Sequence, residues 1–200
     1  MKLIKPSFEI LNISGDLTTI EQAARTCYKS ESKITEGSAE KLVANLLTRG
    51  HEAMLEFVDI SVKIITDRGV SHEIVRHRVA SYAQESTRFI NYKEGVTFIE
   101  PLSIENSPTR VQFGFRQALY DIEQKYIFLI ENGLKPQDAR AVLPNALKTE
   151  IVMKANLREW RHFFQLRCDK AAHPEMRRIT VPMLEEFRKR IPIIFDDLSF

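Results

Sequence analysis

Apolar and polar residues alternate through Val58, Ile60, Val62 and Ile64, and this period of two predicts a half-buried strand. Ahead of it, Leu3, Ile4, Phe8, Ile10, Leu11 and Ile13 predict an opening strand over residues 3–13 that turns at Ser14-Gly15-Asp16. Thr18 followed by Glu21 has capping-box spacing and predicts a helix through about Tyr28. Ser38 caps a second predicted helix, with Leu42, Val43, Leu46 and Leu47 on its buried face and Gly50 just past its end. His51-Glu52 and Glu56 then fall in a short connector. After the alternating strand, a helix from Asp67 or Ser71 leads into Arg76.

Beyond Arg88, Phe89 to Ile99 reads as extended, with a break at Lys93-Glu94-Gly95. Ser107-Pro108 opens the longest helix, in which Val111, Phe115, Leu119, Ile122, Tyr126 and Leu129 keep helical spacing as far as Asn132-Gly133. Pro136 starts a shorter helix ending near Leu143-Pro144. Lys148 to Lys154 fits a strand or a helix. Asn156 and Glu159 form a capping pair for a helix through about Leu166. A last helix begins around Pro174 and contains Pro182, which predicts a kink. With no repeat, low-complexity stretch or linker, the pattern predicts one α+β domain over residues 1–200, an antiparallel-type sheet with segregated helices.

Composition narrows the classes without choosing among them. The net charge is only +2, so the 200-residue chain is not broadly polybasic, and a nucleic-acid role requires a local patch. Lys5, Pro6 and Glu9 interrupt the first ten residues, and no apolar run reaches the length of a membrane span; both point to a cytoplasmic protein. The two cysteines, Cys27 and Cys168, stand far apart, which argues against a disulfide scaffold and against a four-ligand zinc site. The five histidines lack metal-ligand spacing.

The chemistry concentrates in Arg76 to Arg88, RHRVASYAQESTR, where three arginines, a histidine and two serines share thirteen residues. Guanidinium forks match phosphate oxygens two at a time, and serine hydroxyls and backbone amides complete such a cradle. All seven glycines stand alone, so neither a Rossmann turn nor a P-loop can be assembled. Any dinucleotide bound here must be held by side chains. Further arginines occur in ARAVLP (Arg140), in Asn156-Leu157-Arg158, and in QLRCD (Arg167).

Arg76-His77-Arg78, seven residues, Ser86, one residue and Arg88 together resemble the signature of the flavin-dependent thymidylate synthases, and the resemblance extends over nearly the whole chain. It implies that family's fold and its reductive methylation of dUMP to dTMP. The one-carbon donor would be methylenetetrahydrofolate, the hydride carrier FAD and the reductant NADPH, in a homotetramer with shared active sites. By resemblance, Arg76, His77, Arg78 and Gln84 contact FAD, as do His51 and Glu56 near the His-Glu element, and Asn156, Arg158 and His162 at a helix start. Glu73, Arg76 and the run Gln84, Glu85, Ser86, Thr87 and Arg88 would bind dUMP. Arg140 would reach its phosphate. Arg167 would contact uracil and act as the catalytic charge.

The chain departs from the commonest family form in three places. Ala83-Gln84 stands where Asn-Glu is usual, with a carboxylate one position later at Glu85, leaving open which of Gln84 and Glu85 takes the usual role. His162 replaces a frequent asparagine, and His173 a frequent glutamine. A competing reading is a basic nucleic-acid-binding module centred on residues 76–88, but only Tyr82 supplies an aromatic ring inside the segment. The cysteine-nucleophile type of thymidylate synthase is disfavoured, because Cys27 lies in an apolar helical stretch and Cys168 follows a single arginine.

Overall fold

Asp16, not Thr18, caps the first helix of the computed structural model, which describes all of residues 1–200. Its Oδ1 accepts from the amides of Thr18 (2.9 Å) and Thr19 (3.1 Å), and the Asp16 amide donates in return to Thr19 Oγ1. A reciprocal cap satisfies donors that otherwise lack helical partners. The helix, α1, spans Leu17–Tyr28 and follows two strands, β1 (Lys2–Ile4) and β2 (Ser7–Ser14). The predicted single opening strand is thus broken at Lys5-Pro6.

α2 (Ser38–Thr48) precedes a 3₁₀ segment over Glu52–Phe57, and β3 occupies Asp59–Asp67. Asp67 caps α3 (Arg68–Ile74) through a 2.9 Å bond from the Val70 amide. β4 (Ser81–Gln84) and β5 (Thr97–Ile99) follow; of the stretch expected to be extended only Thr97–Ile99 is strand, and a turn at Lys93-Glu94 falls at the expected break. α4 (Leu102–Glu105), the long α5 (Thr109–Glu131) and the short α6 (Pro136–Ala139) lead through a 3₁₀ turn at Arg140–Val142 to β6 (Lys148–Asn156). α7 (Leu157–Arg167) and α8 (Pro174–Arg190) complete the order, with α8 unbroken at Pro182. No helix is long and apolar enough to cross a membrane.

The architecture is α+β. A four-stranded sheet has the order β2-β3-β6-β4. The Leu157 amide bonds the Val58 carbonyl at 3.0 Å, and the Arg68 amide bonds the Leu147 carbonyl at 3.1 Å, so opposite ends of β3 and β6 are neighbours, as antiparallel pairing requires. A separate pair, β1 and β5, is parallel in the register Lys2–Thr97, Leu3–Phe98 and Ile4–Ile99, an exception to the expected antiparallel sheet.

The chain packs as two compact units. The first comprises Met1–Ser7, Ile64–Arg76 and Ala83–Ile151; the second comprises Phe8–Lys63, His77–Tyr82 and Val152–Phe200. The first has a core of Val96, Phe98, Leu119, Tyr126, Ala139 and Leu147, against which Tyr92 and Leu143 pack. In the second, α1 packs on α2, and α7 packs on α8 with the rings of Trp160, Phe163, Phe164, Phe187 and Phe195 set mostly edge to face. The buried Trp160 donates from Nε1 to the Ile60 carbonyl at 3.1 Å, fixing α7 on β3.

Candidate functional site

In the first unit, β4 delivers Gln84 inward and then opens into a turn. Gln84 Nε2 donates to Ser71 Oγ (2.9 Å) and Thr149 Oγ1 (3.2 Å). Glu85 is bound at every polar atom. Its amide donates to the Glu150 carbonyl at 2.9 Å and its carbonyl accepts from Arg68 Nη1 at 3.4 Å. Its carboxylate accepts from the Tyr92 hydroxyl (2.8 Å) and from Lys148 Nζ (2.9 Å). The Ser86 carbonyl then accepts the amides of Phe89 and Ile90, which closes the turn. Thr87 is buried, and Arg88 is exposed with its guanidinium 5.5 Å from the Phe89 ring.

Arg140 Nη1 reaches Thr87 Oγ1 at 3.0 Å, while its Nε donates to the Gln137 carbonyl at 3.1 Å. Thr87 and Arg140 share an open cleft of ≈ 250 Å³ with Arg68, His72, Leu143 and Asn145. Two guanidinium groups and an imidazole around one small cleft favour an anion. Arg68 and His72 were missed in the sequence, although their spacing of four places both on one face of α3. Glu73, half-buried on the same helix, and the exposed Arg76 complete the predicted set in this unit.

The second unit holds His77, Arg78, His51, Glu56, Asn156, Arg158, His162 and Arg167. His77 is buried at 4 % exposure, its ring 4.9 Å from that of Phe163 and 5.5 Å from that of His162. Arg167 Nε donates to His77 Nε2 at 3.1 Å, which leaves the imidazole proton on Nδ1. Nδ1 lies 3.3 Å from Glu159 Oε1, an ion-pair distance without hydrogen-bond alignment. Burial first, then the Arg167 guanidinium and His162, push the His77 imidazole down to about 4, so it is neutral. The Tyr82 hydroxyl donates to the His77 carbonyl at 2.7 Å, and burial with the nearby Glu159 charge pushes its pKa up to about 12.

Arg78 and His162 are exposed, unlike His77. Asn156 caps α7 by accepting the Glu159 amide at 2.9 Å, as the capping pair predicts. Arg158 pairs with Glu56 at 2.6 Å, both at the surface. His51 and Arg158 rim a cleft of ≈ 330 Å³ walled by Ala24, Cys27, Tyr28 and Leu46. Apolar walls with His51 and Arg158 at the rim suit a planar heteroaromatic ring; of the residues expected at the flavin, these two share the cleft with the Glu52 carboxylate, while Arg78, Asn156 and His162 do not line it. Sequence reasoning also missed Arg161. It is 4 % exposed and bonds Asp197 (2.6 and 2.7 Å), Glu52 (3.1 Å) and the Ile194 carbonyl, tying the last residues of the chain to α7.

The fold and these two groups define an α+β protein whose candidate anion-binding groups are arginine side chains instead of a glycine-rich loop. Residues 9–193 match the family model described as Thymidylate synthase complementing protein. The chain is 35% identical over 183 residues to the flavin-dependent thymidylate synthase of Geobacter sulfurreducens, covering 88% of this chain and 78% of that protein. It is 37% identical over 186 residues to the flavin-dependent thymidylate synthase of Pyrococcus furiosus, covering 87% and 75%. The chain belongs to the flavin-dependent thymidylate synthase family. Its fold is also that of a UMP/dUMP methylase, PolB, from Streptomyces cacaoi, solved bound with 5-Br dUMP. That likeness has a TM-score of 0.85 at 22% identity, over 98% of this chain and 96% of the other.

Proposed function

We propose that this chain converts dUMP to dTMP, taking the one-carbon unit from methylenetetrahydrofolate and using FAD reduced by NADPH. The observation that carries the reading is the basic cleft of Arg68, His72, Thr87 and Arg140 in a member of this family, because a nucleotide monophosphate brings a dianion that such a cleft holds. Arg140 and Arg88 bind the phosphate. Ser86, Thr87, Gln84, Glu73 and Arg76 bind the rest of dUMP, and Arg167 stabilises negative charge on the uracil ring.

FAD, when bound, supplies the hydride that completes the methyl group. His51, Arg78, Asn156, Arg158 and His162 hold it, with Arg76 and Gln84; Glu56 sets the position of Arg158 through their ion pair, and His77 that of Arg167. The chain works as one catalytic domain over residues 1–200, in the cytoplasm, within a homotetramer that shares active sites. The test is direct. Purified protein given FAD, NADPH, methylenetetrahydrofolate and dUMP is expected to form dTMP, resolved by chromatography, and to form none when FAD or NADPH is omitted. Absence of dTMP from the complete, FAD-loaded mixture would overturn the reading.

A further inference from the structure

Glu85 stands at the first residue beyond β4, at the base of the turn that carries Ser86, Thr87 and Arg88. A carboxylate there could bind a ligand only through lone pairs left over from the protein. Few remain. Oε1 accepts from the Tyr92 hydroxyl at 2.8 Å, Oε2 accepts from Lys148 Nζ at 2.9 Å, and the side chain is 11% exposed.

The partners sit where they constrain the turn. Tyr92 lies seven residues on, so its bond to Glu85 closes the segment 85–92 like a clasp, with the Tyr92 ring 5.8 Å from that of Tyr126 in the core. Lys148 begins β6 and bonds Glu150 as well, at 2.5 Å. The Glu85 amide donates to the Glu150 carbonyl at 2.9 Å, so backbone and side chain are both tied to the same strand. Burial alone lowers the Lys148 pKa, but the hydrogen bonds and charges of Glu150 and Glu85 outweigh it and carry the ammonium above its ordinary value. Lys148 therefore stays charged wherever the carboxylates do. From this anchored base the chain reaches Thr87, where Arg140 makes its 3.0 Å contact.

We infer that Tyr92, Glu85 and Lys148 form a positioning network that sets the 86–88 turn for the nucleotide, and that Glu85 acts through this network without touching dUMP. The inference rests on the reading of the cleft as the dUMP site. The network resolves the departure in QESTR: the carboxylate shifted to position 85 serves the protein, and Gln84, bonded to Ser71 and Thr149, occupies a separate environment. Without Lys148, the largely buried Glu85 carboxylate would lose its cation at the base of the turn that leads to a site for an anion, which opposes dUMP by charge as well as by geometry.

The experiment uses FAD-loaded full-length protein and the variants Tyr92→Phe, Lys148→Met, Glu85→Gln, Glu85→Ala and Glu85→Ala/Lys148→Met. For each, KM and kcat for dUMP are measured with flavin absorbance. Tyr92→Phe and Lys148→Met are expected to raise KM roughly tenfold, with kcat and the flavin spectrum little changed. Glu85→Gln should recover part of the loss of Glu85→Ala, since its amide oxygen still accepts a bond. The double variant should be no worse than Glu85→Ala, as members of one network require. Additive losses would place Glu85 on the nucleotide and overturn the inference, as would unchanged KM in Tyr92→Phe and Lys148→Met. If Lys148→Met does not fold, Tyr92→Phe, which removes one hydroxyl, decides the matter alone. A wild-type protein that binds no dUMP overturns this inference together with the functional reading; wild-type binding with unaffected variants overturns the network alone.

Discussion

Arg140 Nη1 donates to Thr87 Oγ1 at 3.0 Å, joining two turns that lie 53 residues apart in the chain. The second bond of Arg140, from Nε to the Gln137 carbonyl, holds the guanidinium at two points. A fork ordered in advance gives up less side-chain freedom when it meets a phosphate. Arg140→Ala should therefore weaken dUMP binding by about 1.5–3 kcal/mol, roughly 10- to 150-fold. Thr87→Val, which removes the orienting bond and the hydroxyl's own contact with dUMP but keeps the Arg140 charge, should cost less. Calorimetric titration of dUMP into FAD-loaded protein measures both, and wild-type affinity in Arg140→Ala would take that residue out of the site.

Stability depends on a different arginine. Arg161 is buried against Glu52, Asp197 and the Ile194 carbonyl, and its charge holds the Asp197 carboxyl below the usual carboxylate range. Arg161→Met keeps the packing of the stem, and the released carboxylates reach water. A loss of about 2–3 kcal/mol is expected, the scale of charge-assisted hydrogen bonds. Asp197→Ala should cost at least as much for its size, because it strands part of a guanidinium that is 5% exposed. Urea unfolding reads both. Values within about 0.5 kcal/mol of wild type would mean that the clamp contributes nothing.

Local chemistry made much of this fold readable. The alternation of Val58 to Ile64 and the Asn156–Glu159 pair marked β3 and the start of α7, because strand pleat and helix cap are decided within a few residues. β6 stayed ambiguous because its buried period-two positions are Thr149, Ile151, Met153 and Ala155, and threonine and alanine mute the apolar signal. The parallel pairing of β1 with β5 joins strands of three residues over nearly a hundred positions of chain, which no local pattern encodes. The same holds for the candidate site. The arginines of RHR and QESTR were visible as a motif, whereas burial of the middle residue, His77, and the Lys148 clamp on Glu85, 63 residues away, exist only after folding.

Buried His77 makes a prediction about pH. The unfolded chain takes up a proton at this imidazole as pH falls through about 6.5. The folded chain does so only at about 4. Between those values the unfolded state binds more protons, so stability falls as pH falls across the window, and this group has no effect above it. Complete displacement corresponds to roughly 3 kcal/mol. Urea midpoints from pH 7 to pH 4 should decline for wild type and decline less for His77→Gln. Parallel curves would show that His77 does not carry the dependence.

Arg167 is where position and chemistry meet. Carbon 5 of uracil is a weak nucleophile, and it strengthens as negative charge spreads over the N3–C4–O4 edge. Cys168, the cysteine nearest in sequence, is fully buried with its thiol pushed up by that burial, so thiolate attack is not available from it. On the proposed reading the ring is polarised in place, and a fixed guanidinium beside the developing charge does so most effectively. The contact from Nε to His77 Nε2 fixes it, because a neutral imidazole accepts that bond where an imidazolium would repel the arginine. Arg167→Ala is expected to keep FAD and its reduction by NADPH while dTMP formation falls roughly a hundredfold or more. Arg167→Lys should recover only part, since an ammonium keeps the charge without the planar fork. His77→Gln should lower kcat by less than Arg167→Ala, because it loosens the guanidinium without removing it. Separate assays of flavin reduction and dTMP in the three variants decide the point, and normal dTMP formation by Arg167→Ala would sink the assignment.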